Sequence, residues 1–242
     1  MLVTFLGTGD AFGSGGRLQT CIALHGSIGV LIDCGATALI GMKRFGIDPQ
    51  SVDVVVLTHL HGDHFAGLAY LIRETQIATQ RTKPLTIIGP AGHERVVRDS
   101  TELLFPGASG QASQFDLRFV EYMSRAPLEL GSLTVLAMPG IHTLGTNPHA
   151  VRVTLDGYVV AYSGDTEWTD DLVSIASGAD LFVCEAYRAN PVRNHMDYRT
   201  LQANRERLGC RRLVLTHMAP DVLALTGDDV LERAHDGMTI TL

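Results

Sequence analysis

Short apolar runs separated by glycine-rich turns recur along the chain, and these runs predict β-strands. The first three follow one another closely, which is typical of an antiparallel meander. Predicted strands lie at 1–6, 20–25, 28–33, 85–89, 115–121, 127–138, 150–155, 158–163, 180–184 and 211–216. Apolar residues at helical spacing predict helices at about 36–45, 65–80, 91–104 and 198–208.

Strands and helices mix in both halves of the chain, which points to an α/β protein. The phrase Leu-Thr-His ends an apolar strand twice, at 57–59 and at 215–217. This repetition hints at internal duplication around one core, with two sheets face to face and helices outside. No long linker divides the chain, so we expect one domain over residues 1–242. The loop 105–114 is interpreted as either a lid or a plain connection.

The composition is that of an ordinary globular protein, with 242 residues, 45% hydrophobic and 19% charged. A net charge of −7 argues against a general nucleic-acid surface, because phosphate binding depends on clustered Lys and Arg. The four cysteines sit singly and favour neither a disulfide framework nor a thiolate zinc site. Neither a signal peptide nor a membrane span of ~20 apolar residues is recognisable. We therefore expect a cytoplasmic protein without membrane contact.

The segment 59–64, His-Leu-His-Gly-Asp-His, follows an apolar run and concentrates metal-binding side chains at the end of a strand. His59 and His61 are two apart on extended chain, so their imidazoles point the same way. Asp63 and His64 then begin a helix and face the same cavity. Imidazole and carboxylate together suit a divalent ion such as zinc, so this segment predicts a metal site.

Three further candidate ligands also stand at the ends of apolar strands. His142 follows the run 135–141, Asp165 follows 159–164, and His217 follows 213–216. A carboxylate in that position can bridge two cations about 3.5–4 Å apart, the separation found in two-metal hydrolytic sites.

In these motifs the chain resembles the metallo-β-lactamase superfamily. His59-x-His61-x-Asp63-His64, then His142, then Ser-Gly-Asp-Thr at 163–166, then His217 correspond in order to that superfamily's metal motifs. The phrases at 5–9 and 31–35 also look like its first strands. The resemblance implies a four-layer αβ/βα sandwich with two divalent metal ions, usually zinc, although manganese or iron would suit the same donors. It further implies that His59, His61 and His142 hold one metal, that Asp63, His64 and His217 hold the other, and that Asp165 bridges them.

Two cations that share a water lower its pKa towards ~7, which makes a metal-bound hydroxide available at neutral pH. Since zinc has no redox chemistry, hydrolysis is the expected reaction. Asp63 is predicted both to hold a metal and to orient or deprotonate the nucleophile.

Two other residues bear on which bond is cut. The order Asp165, Glu185, His195, His217 is similar to the ribonuclease Z and cyclic phosphodiesterase branch, in which a Glu-Ala phrase and a later histidine form a proton relay. The resemblance implies that His195 is a general acid oriented by Glu185. Two nearby arginines, Arg188 and Arg193, are candidates for holding an anionic substrate, or they belong to a solvated helix face.

The chain departs from ribonuclease Z at two places. Cys184 stands where that family usually has a histidine, and the 22 residues between His142 and Asp165 do not resemble an inserted basic arm. Transfer RNA is therefore not expected as a substrate.

The sequence is compatible with three functions. The first is a dinuclear metal hydrolase of a small phosphodiester or related phosphate ester. The second is a hydrolase of a carboxylic substrate such as a lactone, thioester or β-lactam, and the third is a non-catalytic metal-bound sensor. The expected partner is a small anionic molecule, and a homodimer is a candidate assembly.

Overall fold

Two β-sheets lie face to face in a computed structural model of the chain, which describes residues 1–111, 113–227 and 229–242. The strands are β1 Leu2–Gly7, β2 Cys21–His25, β3 Gly29–Ile32, β4 Val52–Val56, β5 Leu85–Gly89, β6 Leu117–Glu121, β7 Pro127–Leu130, β8 Leu133–Pro139, β9 His149–Leu155, β10 Tyr158–Tyr162, β11 Leu181–Glu185, β12 Leu213–Thr216 and β13 Thr239–Thr241. The helices are α1 Ala38–Arg44, α2 Gly62–Phe65, α3 Gly67–Ile77, α4 His93–Leu104, α5 Asp171–Ala176, α6 Tyr198–Asn204 and α7 Pro220–Leu223.

The strand order is β13-β1-β2-β3-β4-β5-β6 in one sheet and β12-β11-β10-β9-β8-β7 in the other. The antiparallel meander predicted at the start of the chain is confirmed, because β1 pairs with β2 and β2 with β3 in that sense. The pairing then becomes parallel from β3 through β6, where helices return the chain over one face of the sheet.

Three apolar layers hold the structure together. The first lies between the two sheets and joins residues of both, for example Phe5 and Val153. The second packs α1, α3 and α4 on the outer face of one sheet, and the third packs α5, α6 and α7 on the outer face of the other. Three apolar layers separate four layers of secondary structure, so the predicted αβ/βα sandwich is confirmed.

Two element predictions need correction. The segment 127–138 is not one strand: the chain turns at Gly131, whose φ of 60° favours glycine, and forms the hairpin of β7 and β8. The helix predicted at 65–80 is shorter and corresponds to α3, Gly67–Ile77, while the helical turn α2 that precedes it ends at Phe65. Apolar spacing marks the buried face of a helix better than it marks where the helix ends.

None of the described residues of the loop 105–114 lines the cavity beside the histidines. Position 112 is outside the described residues, and Ala108 and Ser109 of the described part line a small cavity with side chains of α3 and α4. The lid interpretation therefore finds no support. Within the described residues, none of the helices has both the length and the apolar character required to cross a membrane.

Candidate metal centre

The predicted ligands converge at one edge of the sandwich because each follows the end of a strand. His59, His61, Asp63 and His64 follow β4, and the remaining three follow β8, β10 and β12: His142, Asp165 and His217. His217 adopts a φ of 55°, a conformation that costs energy for a residue other than glycine and that is concentrated at functional sites. The topology thus gathers residues that are up to 158 positions apart in the chain.

The first donor group combines three histidines and a carboxylate. Nδ1 of His61 lies 3.3 Å from Nε2 of His59 and 3.0 Å from Nε2 of His142. The Oδ2 atom of Asp165 lies 4.0 Å from Nε2 of His59 and 3.9 Å from Nε2 of His142. These four side chains together can hold one metal ion.

The second group shares Asp165 with the first. The Oδ2 atom of Asp63 lies 3.2 Å from Nε2 of His64 and 3.2 Å from Nε2 of His217. Asp165 lies 3.3 Å from Nε2 of His64 through Oδ1 and 3.5 Å from Nε2 of His217 through Oδ2. Because Asp165 belongs to both groups, it stands where a bridging carboxylate would be.

The spacing of the donor atoms fits a metal ion. Tetrahedral ligands at ~2.1 Å from zinc are separated by ~3.4 Å, close to the distances within both groups. Among the described side chains, Nε2 of His64 and Oδ1 of Asp165 are buried without a hydrogen-bond partner. A buried polar atom without a partner is costly, and coordination of a cation would satisfy both atoms.

Hydrogen bonds behind the ligands fix which ring nitrogen faces the centre. Nδ1 of His64 donates to Oδ2 of Asp33 at 2.6 Å, and Nδ1 of His142 donates to the carbonyl of Asn194. The hydroxyl of Thr58 donates to Asp33 and accepts from Nδ1 of His59. Each of these three imidazoles therefore presents Nε2 to the centre, as is usual when a partner orients a metal-binding histidine.

Asp33 is the supporting residue whose role the sequence did not indicate. It directly follows β3 in the phrase Leu-Ile-Asp-Cys-Gly, and its φ of 58° lies in the left-handed region, which few residues other than glycine adopt. The sequence shows only a single carboxylate after a buried strand. It does not show the partner of this carboxylate, because His64 is 31 positions away.

The buried carboxylates make the electrostatic potential at the centre negative, which favours positively charged groups there. Burial raises the pKa of Asp165, yet the charges of His217 and His64 outweigh it and hold this pKa well below its usual range. Burial lowers the pKa of His217, but the charge of Asp165 reverses this and raises the pKa to about 9. Divalent cations would neutralise the carboxylates in place of protonated histidines. The histidines would then lose their extra protons, since histidine binds metals as neutral imidazole.

Glu185 and His195 form a hydrogen-bonded pair beside the second donor group. Nδ1 of His195 donates to Oε2 of Glu185 at 2.9 Å, and the backbone N–H groups of Thr166 and Met196 donate to Oε1 at 2.5 Å and 3.1 Å. With Asp165 and His217, this pair forms a third group that could hold a metal. Its carboxylate is already satisfied by three donors, which favours an orienting role over a ligand role.

The electrostatics of the pair agree with this role. Burial lowers the pKa of His195, but the hydrogen bond and charge of Glu185 outweigh it, so the net pKa lies above its ordinary value. Glu185 is fully buried, whereas the side chain of His195 is 20% exposed. His195 is thus the partner that can meet a bound molecule.

A cavity of about 170 Å³ opens onto the predicted ligands. Its lining residues are Ala11, Phe12, His61, Asp63, His142, Thr143, Asp165, Tyr187, His195 and His217. Arg188 and Arg193 are not among them, and Nε of Arg188 lies 3.7 Å from Asp221 instead. His149 does not line it either, since it bonds Ser124 and the carbonyl of Asn147.

Cys184 points away from the metal centre. Residues of β11 alternate between faces: Phe182 and Cys184 pack in the helix layer, and Val183 packs between the sheets. Glu185 therefore faces the centre while its neighbour Cys184 does not. The departure from ribonuclease Z at position 184 leaves the donor groups untouched.

A four-layer αβ/βα sandwich with adjoining His and Asp donor groups at its strand ends defines a class of metalloprotein, and comparison with known proteins identifies its family. The chain belongs to the beta-lactamase superfamily, whose domain matches residues 29–218. It is a metal-dependent hydrolase in keeping with that family and with the donor groups at its centre.

Three similar proteins illustrate the family. Ribonuclease Z of Agathobacter rectalis is 27% identical over 97% of this chain and 92% of its own length. The probable metallo-hydrolase YhfI of Bacillus subtilis is 27% identical over 80% of this chain and 76% of its own. The crystal structure of human tRNase Z, short form, superposes with a TM-score of 0.80 at 23% identity, over 100% of this chain and 99% of that one.

The expectation that excluded transfer RNA as a substrate is wrong. Relatives that align with nearly the whole chain are named ribonuclease Z, and a structural neighbour is a tRNase Z. The expectation rested on Cys184 in place of a histidine and on a missing arm between His142 and Asp165, with the net charge as a further argument. One residue, one insertion and an overall charge do not determine what a site can cleave, because the chemistry depends on the cluster of side chains at the strand ends.

Proposed function

We propose that this chain is a dinuclear metal-dependent phosphodiesterase. One cation would be held by His59, His61 and His142, and the other by Asp63, His64 and His217, with Asp165 shared. Zinc is the metal we expect, since nitrogen donors predominate in both groups. We also propose that residues 1–242 form one hydrolase domain, because both sheets contribute residues to this centre.

Divalent cations bound there would supply Lewis acidity to a phosphoryl group and bring the pKa of a water molecule towards neutrality. The protein contributes orientation and proton transfer. Asp63 lines the cavity and uses Oδ2 towards His64 and His217, which leaves Oδ1 to accept a hydrogen bond from the attacking water. It can therefore orient or deprotonate the nucleophile.

The Glu185–His195 pair is the observation that carries the proposal. Nδ1 of His195 is held by Glu185 at 2.9 Å, which leaves Nε2 as the nitrogen that can donate a proton to a leaving oxygen. An alkoxide that leaves from a phosphodiester needs that proton, whereas a strained or activated acyl substrate does not. This difference favours a phosphodiester over a lactone, thioester or β-lactam.

The names of the relatives support the same bond type. Ribonuclease Z aligns with 97% of this chain, and a ribonuclease cleaves phosphodiester bonds of RNA. We therefore propose a phosphodiester attached to a nucleoside or nucleic acid as the substrate, RNA included.

Metal analysis combined with parallel hydrolysis assays tests the proposal. The purified chain should contain two divalent ions and should hydrolyse bis-p-nitrophenyl phosphate and RNA oligonucleotides. Selective turnover of a chromogenic lactam or lactone would contradict the phosphodiesterase proposal and would show that the chain is an acyl hydrolase. Failure of the zinc-, manganese- and cobalt-loaded protein on every ester would favour a sensor.

A further inference from the structure

An aromatic ring stands at the mouth of the cavity and is 87% exposed. Phe12 lines the same cavity as Asp63 and His195, and it leaves most of its ring in water. Removal of a large apolar side chain from water is favourable, so binding of an apolar surface over this ring would be stabilising. Within the part of the chain that the structure describes, no aromatic ring or guanidinium packs on Phe12.

The backbone that carries Phe12 is held in place. The N–H groups of Phe12 and Ser14 both donate to Oδ1 of Asp10, at 3.2 Å and 2.8 Å, and the Ser14 hydroxyl donates to Oδ2 at 2.6 Å. Gln19 donates to the carbonyl of Ala11 at 2.9 Å. Asp10 is itself buried, so these contacts fix the loop on both sides of the ring. A ring presented by a fixed backbone loses little entropy when a ligand packs on it.

The size of the cavity shows which part of a substrate would reach Phe12. Its volume is about 170 Å³, whereas a pocket that encloses a drug-sized ligand holds about 300–1,000 Å³. The cavity can admit the reacting phosphodiester but not a whole nucleotide. A group attached to the phosphodiester must therefore lie outside, against the rim where Phe12 stands.

The charges at the cavity indicate which kind of group, attached to the phosphodiester, would lie against Phe12. Among the described residues that line it there is neither lysine nor arginine, so it offers no side-chain clamp for a second phosphate. A planar neutral ring system suits an exposed phenyl face, and nucleobases have such faces.

We infer that Phe12 is a specificity-determining residue that stacks on a nucleobase next to the scissile phosphodiester. This inference rests on the proposed function and names the feature of the substrate that the metal centre cannot recognise. Because every base has a π-face, stacking on Phe12 selects nucleotides without selecting a sequence.

Two substrates that differ only in their bases provide the test: the dinucleotide UpU and an analogue with both uracils replaced by hydrogen. Phe12→Ala should raise KM for UpU by about 5-fold to 150-fold, the range for loss of one base stack, with little change in kcat. KM for the analogue should stay the same, and Phe12→Trp should restore the wild-type KM for UpU. Leu103→Ala is the matched control, because Leu103 is 80% exposed and does not line the cavity.

A binding measurement keeps this inference separate from the proposed function. The extra emission of the Phe12→Trp variant over wild type should be quenched by uridine 3′-monophosphate and not by ribose 5-phosphate, with or without metal. Equal effects of Phe12→Ala on both dinucleotide substrates, or no quenching, would overturn the role of Phe12. If wild type cleaves no phosphodiester but the quenching occurs, the proposed function fails while base stacking stands.

Discussion

The carboxylate of Asp33 lies 2.6 Å from Nδ1 of His64, and both side chains are fully buried. Asp33 also accepts two hydrogen bonds from Thr58, through the backbone N–H and the hydroxyl, each at 2.8 Å. The aspartate after β3 thus orients a histidine of α2 and, through Thr58, the next histidine, His59. One residue outside the donor groups positions a histidine in each of them.

Replacement of this aspartate should weaken metal binding without removing a ligand. Asp33→Asn keeps the shape of the side chain but loses the charge that fixes the tautomer of His64, so metal affinity should fall about 10- to 100-fold. Competition with a zinc chelator measures the change. Asp116→Asn is the control, since Asp116 is exposed and pairs with Arg118. Wild-type affinity in the Asp33 variant would contradict the orienting role.

Removal of the proposed acid should penalise poor leaving groups most. His195→Ala should retain both metals and lose about 10²- to 10⁴-fold in kcat on substrates with an alkoxide leaving group. Substrates that release p-nitrophenolate should lose much less, because that anion leaves without a proton. A plot of rate against leaving-group pKa should therefore steepen in this variant.

Two variants bracket this result. Glu185→Gln leaves one amide oxygen for three donors, so His195 should be oriented less well, but the loss should be smaller than in His195→Ala, which removes the proton donor itself. His235→Ala should behave as wild type because His235 is exposed and does not line the cavity. An equal loss for alkoxide and p-nitrophenolate substrates in His195→Ala would exclude the role of general acid.

The sequence predicted most of the strands because strands depend on local apolar patterns. His59 and His61 lie two apart after an apolar run that forms β4 in the structure. The sandwich followed from family resemblance. The hairpin at Gly131 was missed although Gly131-Ser132 between two strand-like runs is a two-residue turn signal, because the segment was treated as one continuous apolar run.

Features that depend on contacts between distant segments were not readable. The hydrogen bond between Asp33 and His64 and the position of Phe12 at the cavity both depend on how the folded sheets bring distant segments together. Cys184 and Glu185 point in opposite directions because they are adjacent in a strand, but only the assembled sheets show that the Glu185 side faces the centre. The prediction that transfer RNA is not a substrate was wrong for a related reason, because it treated one segment of the chain as if that segment alone determined binding.

Loss of the shared carboxylate should disturb both metal positions. Asp165 belongs to both donor groups, so Asp165→Asn should reduce the metal content from two ions to at most one. Activity should fall by more than the about 10- to 100-fold lost with an outer hydrogen-bond partner. Metal analysis by mass spectrometry checks the content, with exposed Asp99→Asn as the control. Two tightly bound ions in the Asp165 variant would show that this carboxylate is not shared.

Substitutions at two adjacent residues of β11 should separate an effect on protein stability from an effect on catalytic activity. Cys184 packs in the apolar layer with α5 and α6, while Glu185 faces the metal centre. Cys184→Ala should therefore lower the free energy of unfolding by about 1 kcal/mol, the value of roughly one buried methylene, and leave kcat unchanged. Glu185→Ala should instead reduce kcat on alkoxide-leaving substrates, because His195 loses its acceptor. Urea denaturation and steady-state kinetics measure the two effects. A loss of kcat in Cys184→Ala as large as that in Glu185→Ala would mean that position 184 does act at the centre, as the histidine of ribonuclease Z would suggest.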